Sequence, residues 1–309
     1  MSRPNSPLVG PAPRAFAVGC MALLAGACSS SSSPVAPDQQ RAPKAPAVAD
    51  FVYASDASGT PQIYWNHDGT NTRLTFDNST DNNPKSAAGK LVFTSYRDND
   101  AEIYISGLDG SAQTRLTNSA GLDDEAAIDP SGTRIVFTSA RGGVIRIFTM
   151  DITGANQTAL TTGSESWVPE RAPVWSPDGS QIAFVSTRSN LPQVYVVPAA
   201  GGQAVQLTHE AGGAVDPAWS ADGSQIVFVS ATGTPYLREV TLATGSTMDF
   251  ASADAALGQP SCNASMCLAV NGAYGGKGSL VSMGTMGGSL SPVSTGKKGS
   301  VTSPSFVLP

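Results

Sequence analysis

PVWSPDGSQIAFVS at Pro173–Ser186 and PAWSADGSQIVFVS at Pro217–Ser230 carry the same residue type at most positions. Weaker copies begin at Pro84 (PKSAAGKLVFTS), Ala126 (AAIDPSGTRIVFTS) and Pro260 (PSCNASMCLAVN), and Ser303-Pro304-Ser305-Phe306 repeats only the opening. Successive copies start 42, 47, 44, 43 and 44 residues apart. A period of about 40–50 residues made of several short strands is the pattern of a β-propeller. Each unit reads as four strands. The first opens on a proline, where no ladder donor is needed, and carries Trp175 or Trp219. Asp178-Gly179 and Asp222-Gly223 then supply the positive φ of a tight hairpin. The second strand is the β-branched and aromatic run of Ile182–Val185 or Ile226–Val229, suited to a sheet covered on both faces. The third recurs as Ile63-Tyr64-Trp65, Ile103-Tyr104-Ile105, Ile147-Phe148 and Val194-Tyr195-Val196, and the fourth as Arg73-Leu74-Thr75, Arg115-Leu116-Thr117, Ala159-Leu160-Thr161 and Gln206-Leu207-Thr208.

The two ends of the array predict closure. The unit that starts at Phe51-Val52-Tyr53 has its second, third and fourth strands but no first, whereas the C-terminus supplies a first strand alone. Pro304 and Phe306 stand where the central copies have Pro173 and Trp175. The last strand is therefore expected to complete the blade begun near residue 51, which removes the sheet edges an open array would expose. The expectation is an all-β chain over residues 50–309, a six-bladed propeller with four-stranded blades. No segment shows helical periodicity.

The Pro-x-Trp-Ser-Pro-Asp-Gly opening at residue 173, the Ile-Ala-Phe-x-Ser-x-Arg that follows and the later Ile-Tyr at residues 63 and 103 resemble the repeats of the TolB family and of related periplasmic propellers. The resemblance covers residues 51–309 and is weakest in the sixth unit, where the glycine-rich stretch from Gly275 to Gly288 replaces the usual aromatic strand. It implies a binding module, not an enzyme, that takes another envelope protein or a peptide at the mouth of the channel. TolB carries a further α/β domain before its propeller and this sequence has only a short polar stretch there, so a place in a Tol/Pal system does not follow.

Residues 1–28 read as a secretory signal: Arg3 and Arg14 precede an apolar run from Ala15 to Leu24 that is too short to cross a bilayer. The run ends in Leu24-Ala25-Gly26-Ala27-Cys28, which resembles a lipobox and would make Cys28 the lipidated N-terminus, although Ala25-Gly26-Ala27 also satisfies ordinary secretory cleavage. Residues 29–49, rich in Ser, Pro and Ala, bury too little apolar surface to offset ordering entropy and read as a tether with a reach of roughly 25 Å. Ser29 after the cysteine is the choice that, by resemblance to lipoprotein sorting, favours the outer membrane, facing the periplasm. With Arg3 and Arg14 removed, 16 basic residues face 24 acidic ones, a net charge of −8. That balance, without any clustered Lys or Arg, excludes a phosphate-backbone partner, so no nucleic acid is expected.

Cys262 and Cys267 flank a short turn in a chain expected to reach an oxidising compartment, and a disulfide is the default reading; free thiols or half a metal site are the alternatives. Asp98-Asn99-Asp100-Ala101-Glu102 alternates oxygen ligands but lacks the glycine and distal glutamate of a calcium loop, so it reads first as a solvated turn. Arg97, Arg141 and Arg188 each stand two residues after Ser95, Ser139 and Ser186. They either pair with carboxylates within the blades or form a basic arc at one rim of the channel. The loop Glu165–Arg171, with Trp167, Glu170 and Arg171, lies on the same face, and Trp and Arg are favoured in binding hot spots; Trp167 could equally cover its own blade. No G-x-S-x-G motif is present and only His67 and His209 are available for proton transfer near neutral pH. No metal, cofactor or catalytic residue is expected. Two other readings stay open: a carbohydrate-binding or lyase-like propeller, and a purely structural envelope lipoprotein.

Overall fold

The computed structural model describes residues 49–161, 168–251, 256–272, 277–296 and 299–308. Six four-stranded antiparallel sheets follow one another. Blade 1 holds β1 (Phe51–Ser55), β2 (Gln62–His67) and β3 (Thr70–Arg73); blade 2 holds β4 (Asp81–Ala87), β5 (Lys90–Ser95), β6 (Glu102–Gly107) and β7 (Thr114–Arg115). Blade 3 holds β8 (Asp123–Ile128), β9 (Arg134–Ser139), β10 (Arg146–Asp151) and β11 (Thr158–Ala159); blade 4 holds β12 (Glu170–Trp175), β13 (Gln181–Ser186), β14 (Gln193–Pro198) and β15 (Val205–Gln206). Blade 5 holds β16 (Ala214–Trp219), β17 (Gln225–Ser230), β18 (Tyr236–Thr241) and β19 (Thr247–Ala251); blade 6 holds β20 (Leu257–Cys262), β21 (Met266–Asn271), β22 (Ser279–Gly284) and β23 (Gly287–Pro292). The last strand, β24 (Val301–Phe306), returns to blade 1 and gives it the order β24-β1-β2-β3.

Closure rests on backbone pairing and on packing together. β24 runs antiparallel to β1, with Phe51 opposite Phe306 and Ser55 opposite Val301, and the Val307 N–H donates to the Asp50 carbonyl. Phe51, Tyr53 and Phe306 are buried against Leu268 and Leu280 of blade 6. Val52 and Ile63, on the other side of the same sheet, pack with Leu91, Phe93 and Tyr104 of blade 2. The completed blade is thus the wedge between the two ends of the array. Burial of each such side chain contributes about 1.5–3 kcal/mol.

The repeat supplies the rest of the core. Phe93, Phe137, Phe184 and Phe228 are fully buried at the same place in four successive second strands. The Trp175 Nε1–H donates to the Ala127 carbonyl at 3.0 Å and the Trp219 Nε1–H to the Val174 carbonyl at 3.2 Å, so each tryptophan ties its first strand to that of the preceding blade. Gly179 and Gly223 adopt φ of 69° and 72° in the hairpins that follow, beside Asp178 and Asp222, whose carboxylates accept from neighbouring Ser hydroxyls and N–H groups.

In blade 6 that hairpin is made differently. Cys262 and Cys267 face each other in register and are joined by a disulfide, and Asn263 Oδ1 caps the turn by accepting from the Ser265 and Met266 N–H groups. Because so short a loop is closed, the bond contributes about 2 kcal/mol through the unfolded chain. Urea unfolding of the double variant Cys262→Ser/Cys267→Ser is expected to show that loss, with the variant alone insensitive to reductant.

Candidate functional site

All six first strands lie at the inner end of their sheets and line the central channel. Each carries a bulge at the same point, where its pairing with the second strand shifts register: between Asn82 and Lys85 in blade 2 and between Val215 and Ala218 in blade 5, for example. Within the bulges Asn83, Glu125, Ala172, Asp216, Gln259 and Ser303 adopt left-handed φ of 49°, 54°, 51°, 50°, 52° and 50°. A non-glycine residue in that region costs about 1–3 kcal/mol, so six of them in one ring need compensation.

Hydrogen bonds between neighbouring bulges supply it. Glu125 Oε2 accepts from the Ala172 N–H at 2.8 Å, Asp216 Oδ2 from the Gln259 N–H at 3.2 Å and Gln259 Oε1 from the Ser303 N–H at 2.8 Å. The Ser303 hydroxyl donates to Asn83 Oδ1 at 2.8 Å, and Asn83 Nδ2 donates to Asp124 Oδ1 at 2.8 Å. The relay passes from blade to blade around the channel, and in blade 4 the bulge residue Ala172 has no polar side chain with which to extend it. Inside this ring is a narrow cavity of about 100 Å³.

One step further along the strands the ring changes character. Lys85, Ala127, Val174, Ala218, Ser261 and Ser305 are the first residues paired after each bulge, and Lys85 is the single charged member. Burial draws its pKa down, opposed by Asp216 and Glu125. Glu125 is pushed up to about 7, mainly by burial and then by Asp124 beside it, while the Ala172 N–H and Arg171 act the other way. Beyond Lys85 the channel opens into a cavity of about 660 Å³ at the face formed by the first-to-second-strand hairpins. Trp175, Trp219, Pro130, Pro177, Ala264 and Leu308 wall this mouth. Its chemistry is an apolar funnel ending on a cation and two carboxylates.

A family model described as the TolB beta propeller domain matches residues 86–171 and 166–307. The chain belongs to the TolB β-propeller family. A TolB homologue of Chlorobium luteolum is 32% identical over 37% of this chain and 35% of its own length, and a tricorn protease homologue of Streptomyces coelicolor is 43% identical over 15% of this chain and 5% of its own. The chain therefore spans about a third or less of these curated relatives. The crystal structure of TolB from Acinetobacter baumannii superposes with a TM-score of 0.69 at 22% identity, covering 84% of this chain and 67% of that one, a likeness of fold.

In this TolB-type propeller the residues singled out by sequence fall in several places. Arg97, Arg141 and Arg188 repeat one clamp in the turns between the second and third strands of blades 2, 3 and 4. Nε of each donates to the hydroxyl of Ser95, Ser139 or Ser186, and the guanidinium lies over Phe93 and Tyr104, Phe137 and Phe148, or Phe184 and Tyr195. The outer nitrogens pair with Asp77 and Asp81, with Asp123 or with Glu170. Asp81, Asp123 and Glu170 are fully buried, so the cations serve as their counter-ions instead of standing free as a basic arc. Glu170 is accordingly inside blade 4, while Arg171 next to it is exposed at the connection face. Trp167 and Cys28 lie outside the described residues. Asp98 accepts from the Tyr104 hydroxyl and pairs with Arg115, as Glu102 does, which commits both to the blade. His67, bound to Asp50 in blade 1, and His209, exposed after blade 4, are not brought together.

The ring was the part left unread. Its signal is a polar residue directly before the opening of five of the six repeats, namely Asn83, Glu125, Asp216, Gln259 and Ser303. Because the folded pKa of Glu125 exceeds its ordinary 4.5, its contribution to stability is fully present below that value and is lost as pH rises through about 7. Glu125→Gln keeps the acceptor for the Ala172 N–H and cannot ionise. It is expected to match the parent at pH 4 and to exceed it by about 1–3 kcal/mol at pH 8.5 in denaturant unfolding; an equal difference at both pH values would contradict this assignment.

Proposed function

We propose that the chain is a lipid-anchored binding module of the bacterial cell envelope, held at the outer membrane through Cys28 and facing the periplasm, that receives a segment of another envelope protein or a peptide and catalyses nothing. The observation that carries the reading is the 660 Å³ mouth beyond Lys85, the widest part of the channel described here. Its walls are aromatic and proline surfaces, favourable for an extended chain whose polar groups need partners. The inner strands are the edges of their sheets, and the polar side chains of Lys85, Ser86, Ser261 and Ser305 at the mouth can serve as such partners. The TolB-family membership and the TolB relatives agree with a protein-binding role in the envelope. The favoured surface is then the hairpin face, not the connection face of Arg97, Arg141, Arg171 and Arg188, where the guanidinium forks of the clamps are already engaged.

A photoreactive residue placed in intact cells at Ala221 or Ala264, both exposed at the mouth, and separately at Arg171 on the opposite face, tests this. Adducts to one and the same envelope protein from Ala221 and Ala264 but not from Arg171 are expected. Adducts from Arg171 alone, or none from the mouth, would remove the reading.

A further inference from the structure

Blade 5 breaks the repeat at one buried position. Glu239 in β18 pairs with Val227, and the residues in the same register of the other blades are Trp65, Ile105, Thr149, Val196 and Ser282, none of them charged. The glutamate is 8% exposed, yet among the described residues it has neither an ion-pair nor a hydrogen-bond partner. The stem is covered but the carboxylate oxygens stay open to the space beside them, so the charge lacks a protein counter-ion without being sealed from water.

The carboxylate faces a cavity. Between the hairpin ends of blades 5 and 6 is a space of about 280 Å³, separate from the ring of bulges, in whose lining Glu239 is joined by Phe250, Met286 and the Cys262–Cys267 disulfide, with Asp222 and Asn263 at its polar side. Neither Lys nor Arg lines it. Asp222 is held ionised by the Ser224 and Ser220 groups that donate to it, so the entrance is negative as well. Among the described residues no three His, Cys, Asp or Glu side chains come together, which leaves a metal ion without a ligand set.

We propose that this pocket binds an aliphatic organic cation, a guanidinium or ammonium head pairing with Glu239 while its stem lies along Phe250, Met286 and the disulfide. The head supplies the missing counter-charge, and Phe250 offers an aromatic surface that favours a cation. The stem replaces water on apolar walls. Two sources share this chemistry: the arginine or lysine side chain of a protein segment, and a free diamine.

Calorimetric titration of the full chain with N-acetyl-arginine amide, putrescine and N-acetyl-norleucine amide separates them. The parent is expected to bind one or both cations saturably and the norleucine derivative not at all; preference for the arginine derivative points to a protein side chain, preference for putrescine to a free diamine. Glu239→Gln and Glu239→Val are expected to bind at least tenfold more weakly, and Glu239→Val, which restores the residue of blade 4, keeps the fold. No saturation in the parent at millimolar cation, or equal binding in parent and both variants, would show that the pocket holds only water and overturn the proposal. The pocket and the channel mouth share Ser220, Ala221, Cys262, Asn263 and Ala264, but Glu239 lines the pocket alone, so the Glu239 variants test the pocket and leave the reading of the mouth to its own experiment.

Discussion

Everything in this molecule depends on the pairing of the last strand with the first. β24 supplies blade 1 with its innermost strand, and through it the sixth and second blades come to share one wedge of aromatic and aliphatic side chains. An unclosed array would expose a ladder edge and a core face at both ends, a liability for any all-β chain. Closure is also a long-range contact, joining residues near 51 to residues near 306, so it comes with a chain-entropy cost that the ladder and the packing of Phe51, Tyr53 and Phe306 together offset.

Closure brings the six bulges to one level, and that has chemical consequences. A single left-handed bulge would be a local strain; six at equal height can stabilise one another, because the side chain of one reaches the backbone or side chain of the next. Ser303 and Asn83, which meet across the closing seam, are separated by most of the sequence. The same relay covers Glu125 and Lys85, and burial pushes the carboxyl pKa up and the amine pKa down. The arginine clamps work at the other end of the same strands, neutralising carboxylates that the turn of each blade has buried.

Most of the fold was legible in the sequence because a propeller writes its architecture as a period. The Trp-Ser-Pro-Asp-Gly hairpins, the β-branched second strands and the missing first strand near residue 51 each have a direct geometric meaning. The arginines were legible as a repeated position, and the choice between pairing and display turned on whether Asp81, Asp123 and Glu170 were buried, which spacing cannot reveal. The wide mouth was not legible. Trp175 and Trp219 read as members of the repeated first strand, and besides donating an indole N–H to the previous blade each also lines the wide mouth. Glu239 was missed for a related reason: in the linear sequence Arg238-Glu239 looks like a solvated pair, and only the strand register shows that one of them points between blades.

Amide hydrogen exchange on the intact chain addresses the closing seam directly. The account predicts that the Phe51–Ser55 and Val301–Phe306 amides exchange together, with protection equal to that of the Phe184 and Phe228 strands and released only by global unfolding. If Val301–Phe306 exchanged rapidly while the other blades stayed protected, the ring would not be sealed by its last strand and the account would fail.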